Sequence, residues 1–169
     1  MNSWNKIIFV ITLSTSLSLS ANQNITFSKL NTALKDYSNK IEECELSKKQ
    51  INIDVVKDKL AIEVILETPV VLSYLEEKAM ANCLQPQKGQ LAEVILYTKV
   101  ESESSPAYQL GLNTQKMVFE PSFDAEKSFN QLNELQRNAL LSIKDINLPF
   151  DAFYLYESAL GSRDTSNAM

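Results

Sequence analysis

The sequence contains no histidine, and this absence removes more chemistry than any other feature of the chain. Histidine is the commonest base at neutral pH and the commonest transition-metal ligand. Ser-His-Asp and Cys-His arrangements are excluded with it. Glycine is scarce, at three residues, and no GxGxxG, GxxxxGK[ST] or GxSxG run occurs. The chain therefore contains few of the backbone devices that hold phosphates and oxyanions. The two cysteines, Cys44 and Cys83, are not in a CxxC arrangement, so thiol-exchange chemistry is a poor match. Basic clusters are lacking as well. The net charge is -5, and no long run of Lys and Arg is present to contact nucleic-acid phosphates or an anionic membrane surface.

Long apolar runs are absent except near the start. Residues 7–19 are apolar, softened by Thr12, Ser14, Thr15, Ser16 and Ser18, and preceded by Lys6. The run falls short of the roughly 20 residues that span a bilayer. Ser18 and Ser20 place small residues at −3 and −1 of a cleavage site before Ala21. Residues 1–20 thus read as a signal peptide, and the expected location is periplasmic or secreted, with no membrane span in the mature form. The only tryptophan, Trp4, leaves with the leader. Asn24, Ile25 and Thr26 form a glycosylation sequon that matters only in a eukaryotic source; a bacterial periplasm is the preferred setting.

An exported chain with an even cysteine count belongs to an oxidising compartment, which pairs Cys44 with Cys83 as a disulfide. The chain-entropy model gives about 4 kcal/mol for a loop of this size. Residues 21–161 form a single domain, and 162–169 read as a polar tail that frays.

The remaining pattern is helical. Phe27, Leu30, Leu34, Tyr37, Ile41 and Cys44 fall on one face of a helix over 25–48. Thr26 or Ser28 is expected to cap it, and Asp36/Lys40 and Glu45/Lys49 to pair along it. Asn52 or Asp54 caps a second helix. Residues 62–66 alternate like a strand but are assigned to helix or turn, since no strand partner is evident. Thr68 and Pro69 open a helix over 69–84, with Leu72, Leu75, Ala79 and Cys83 inward and Pro86 closing it. Gly89 precedes a helix over 90–100. Residues 101–106 are a polar linker, and 107–121 read as a long loop. Asp124 caps one helix over 124–144, and Asn147 starts a last one over 149–160 that ends at Gly161. The expected fold is all-α: an irregular bundle of five to six helices, the first tied to the third by Cys44–Cys83.

Three places invite a functional reading. Glu42, Glu43 and Glu45 flank Cys44, and Glu76 and Glu77 share a helix with Cys83. The disulfide would bring them together, either as a hard-cation site or acid/base pair, or as a solvated face neutralised by Lys48 and Lys49. The aromatic run Phe150, Phe153, Tyr154 and Tyr156 cannot lie on one narrow helix face, so either the helix is buried on several sides, the reading favoured by the dominance of aromatics in cores, or part of the run is exposed and marks an interface. Tyr108 and Phe119 bound the loop. Candidate interface residues are therefore Tyr108, Phe119, Phe153, Tyr154 and Tyr156, with no catalytic residue, metal ligand or cofactor assigned. The function expected is non-enzymatic: an accessory, chaperone-like or inhibitor/immunity component that binds a protein partner in the cell envelope. The alternatives are a carrier with an apolar cavity under the 107–121 loop, and a hydrolase working through paired carboxylates.

Overall fold

The computed structural model describes residues 21–119 and 123–166, so the leader expected over 1–20 lies outside the described residues. The described chain is all-α. Helices α1 (Ala21–Leu46), α2 (Ile53–Lys57), α3 (Ile62–Glu67), α4 (Pro69–Cys83), α5 (Gln85–Thr98), α6 (Pro106–Phe119), α7 (Phe123–Gln131), α8 (Glu134–Leu141) and α9 (Ala152–Ser166) follow in order. Among the described residues the only extended pairing is an isolated bridge between Lys49 and Phe150.

The heptad seam of α1 faces inward as its spacing predicts. Leu30, Tyr37 and Cys44 are buried, and Leu34 and Ile41 pack beside them. Thr26 and Ser28 lie inside the helix rather than at its cap. Its ion pairs also differ in register: Lys40 pairs with Glu43 and Lys48 with Glu45, three residues apart. At α2, Asn52 accepts from the Asp54 amide at 2.8 Å. Ile51 before the cap and Val56 after it are both buried in the same cluster, an arrangement that fixes the entry angle of the chain.

Two cores share one helix. The larger contains Ile51, Val56, Ile65, Phe129, Leu140, Ile146, Phe150 and Leu155 with Val71, Leu72, Leu75 and Ala79 of α4. The smaller contains Leu30, Tyr37, Cys44, Leu91 and Ile95 with Met80 of α4 and its neighbour Leu84. α4 is thus apolar on several sides because each side meets a different core. The disulfide joins α1 to the end of α4 with Cα atoms 6.2 Å apart, within normal bridging range. It ties the first helix to the fourth, since residues 62–67 form a helix of their own.

Several elements depart from expectation. The 107–121 stretch is mostly the helix α6, started by Ser105, whose Oγ accepts from the Tyr108 amide at 3.1 Å ahead of Pro106. The 124–144 run is two helices. Asn133 accepts from the Gln136 amide at 2.8 Å, and Gln136 accepts from the Asn133 amide at 3.1 Å. This reciprocal capping box starts α8 afresh, and Leu135 turns outward instead of joining the core. Gly89 lies within α5 and Gly161 within α9. Pro86 sits in the first turn of α5 rather than only closing α4. α9 extends into the expected tail as far as Ser166, and residues 167–169 lie outside the described residues.

Candidate functional site

The acidic residues beside the disulfide are brought together, but through a lysine. Lys48 Nζ lies 2.7 Å from Glu76 Oε1 on α4 and 2.8 Å from Glu45 Oε2 on α1. Burial acts to depress the Lys48 pKa, yet the hydrogen bonds and charges of Glu45 and Glu76 outweigh it and hold the ammonium above its ordinary value. Glu43 is engaged by Lys40 at 2.6 Å. Glu77 is raised above the usual glutamate range, first by desolvation and then by Glu76. A cation at this place would have to displace the Lys48 ammonium. Among the described residues, no group of three or more acidic or cysteine side chains is arranged to hold a metal ion.

The expected loop site is also rebuilt by the fold. α6 packs on α1 and α5, and Leu110, Val118 and Phe119 rest against the smaller core. Lys88 Nζ stands 5.3 Å from the centre of the Phe119 ring, a cation–π distance. Tyr108 is half-buried. The stretch expected as a loop is therefore, as far as Phe119, a helix packed on the smaller core. Gly111 explains how it comes so close. A Cβ on Gly111 would stand 2.2 Å from Thr98 Oγ1 on α5. That hydroxyl is itself buried and donates to the Ile95 carbonyl at 2.7 Å.

The aromatic run of α9 divides between core and surface. Asp151 Oδ1 accepts from the Tyr154 amide at 2.8 Å and so caps the helix. Phe150 before the cap and Leu155 after it are fully buried together. Backbone hydrogen bonds from the Lys49 amide to the Pro149 carbonyl and from the Asp151 amide to the Lys49 carbonyl, both 3.0 Å, hold this entry in place. Lys49 Nζ also reaches Asp145 Oδ1 at 3.2 Å. Asp145 has φ 70°, a left-handed conformation that aspartate tolerates better than most residues.

With its start fixed in this way, α9 turns Ala152, Leu155 and Ala159 inward and leans Tyr156 on the larger core. Phe153 points out with 72% of its surface exposed, and Tyr154 flanks it at 38%. Of the five interface candidates, Phe153 and Tyr154 are exposed, as successive residues on α9; Tyr156 packs against the larger core, and Tyr108 and Phe119 belong to α6. Glu157, one turn beyond Phe153, is exposed on the same line and was not singled out from sequence. The i,i+4,i+8 spacing of Phe153, Glu157 and Gly161 is the signal that identifies this outer stripe. No protein-family model, curated protein or solved structure matches the chain.

Proposed function

We propose that the chain is an exported, non-enzymatic binding component of the cell envelope that meets a protein partner through the outer face of α9. The observation that carries this reading is the exposed Phe153 and Tyr154 pair on a helix whose other side is locked into the core. Exposed aromatics on a rigid element supply contact area at low entropic cost, and buried aromatic anchors dominate protein interfaces. The scarcity of histidine- and glycine-based devices supports binding over catalysis.

Site-directed photo-crosslinking tests the reading. The complete precursor is expressed so that export can occur, with a photoreactive phenylalanine analogue at position 153, 154 or 135. Leu135 is an apolar control on α8 that is more exposed than either aromatic. The expected result is one discrete adduct from 153 and 154, made by mature protein that begins near Ala21, and none from 135. Absence of an adduct, or the same adducts from all three positions, overturns it.

A further inference from the structure

The outer stripe of α9 is more than apolar, and its composition points to the chemistry of what it binds. Phe153, Glu157 and Gly161 succeed one another at intervals of one turn, and all three are exposed. Residues four apart on a helix stand about 5–6 Å apart at Cβ. No ion pair among the described residues engages Glu157. The other carboxylate at this end of α9, Asp151, is occupied with the Tyr154 amide. A Cβ on Gly161 would meet nothing within 4 Å, so the stripe continues as bare backbone with open space above it.

Resting on the reading of α9 as a docking face, we propose that the stripe recognises an arginine-bearing segment of the partner protein. A guanidinium is planar and weakly hydrated. It can lie on an aromatic face while its edge donates to a carboxylate. Phe153 supplies the face, Glu157 supplies the carboxylate one turn away, and Tyr154 widens the aromatic platform. Gly161 leaves room for the backbone that carries the arginine. The net charge of -5 adds long-range attraction for a basic partner but no selectivity. Lysine offers charge without the plane, and so it engages Glu157 while making less of the ring.

Titration of the mature protein with a synthetic hexa-arginine peptide, followed by 19F NMR with fluorinated phenylalanines, tests this directly. The expected result is a saturable shift of the Phe153 resonance. Phe153→Ala, read by calorimetry, and Glu157→Gln are each expected to weaken binding about two- to fivefold. Hexalysine is expected to bind more weakly than hexa-arginine. Glu42→Gln, which removes an exposed charge on α1, is expected to change nothing beyond the general salt-dependent attraction. Equal weakening by Glu42→Gln and Glu157→Gln would show diffuse attraction and overturn the proposal, as would an unmoved Phe153 resonance. If the crosslink at 153 persists while hexa-arginine leaves Phe153 unmoved, the partner chemistry is wrong and the docking face stands. If both fail, the face itself is wrong.

Discussion

Gly111 and Thr98 set the separation of α5 and α6. Because Thr98 is β-branched, 1% exposed and hydrogen-bonded to Ile95, it cannot turn aside for a new methyl group. Gly111→Ala is expected to cost about 1–3 kcal/mol in urea unfolding, as overpacked sites do. In a double-mutant cycle, Thr98→Ala should recover part of that loss, since the two residues are in contact. Glu76 and Glu77, adjacent in sequence, should respond in opposite ways. Glu76 holds the half-buried Lys48 ammonium, so Glu76→Gln is expected to lower stability, by no more than about 1 kcal/mol. Glu77 binds its proton more tightly in the folded chain than its ordinary 4.5. The resulting cost is absent well below that value and grows as pH rises through the folded pKa. Glu77 is exposed, so solvent screens most of this cost, and Glu77→Gln is expected to raise the melting temperature only slightly at neutral pH. The difference should shrink towards zero at about pH 4, which melting curves across the range will check.

At the scale of the element, the caps decide where helices start. Ser105→Ala and Asn133→Ala are each expected to cost about 1 kcal/mol, read as a lower urea midpoint with unchanged slope. The same signals show which features were legible. The α1 seam and the inward face of α4 followed from spacing alone, and Asn52 was one of two cap candidates, with Asp54. The Ser105–Pro106 start carries the same logic as Thr68–Pro69 but is hidden among serines and glutamates that resemble a linker. Thr68 occupies the N-cap position of α4 ahead of Pro69, as expected, but its side chain makes no cap hydrogen bond. It also terminates α3, and its hydroxyl donates back to the Val64 carbonyl instead. Periodicity alone ran α7 and α8 together, because Phe129, Leu132 and Leu135 continue a helical stripe through the break. The Asn133 and Gln136 pair was the readable signal against it. The outer stripe of α9 was half legible: the aromatics could be divided only after Asp151, not Asn147, was known to start the helix. The approach of Thr98 to Gly111 and the contact of Lys49 with Asp145 depend on distant chain segments, and no local pattern encodes them.

For the whole molecule, α4 is the common wall of both cores, and Cys44–Cys83 fastens the smaller core to it. Replacing both cysteines with alanine is expected to cost up to about 4 kcal/mol while leaving the helix content intact. A shared wall also makes the two halves interdependent, since opening either core exposes one side of α4. Native-state hydrogen exchange tests this most directly. The account predicts that core amides of α1, α4 and α9, including those of Tyr37, Leu75 and Leu155, exchange only through one global opening, with the free energy measured by urea unfolding. Exchange of the α9 amides through a much smaller opening, while α1 and α5 stay protected, would contradict it.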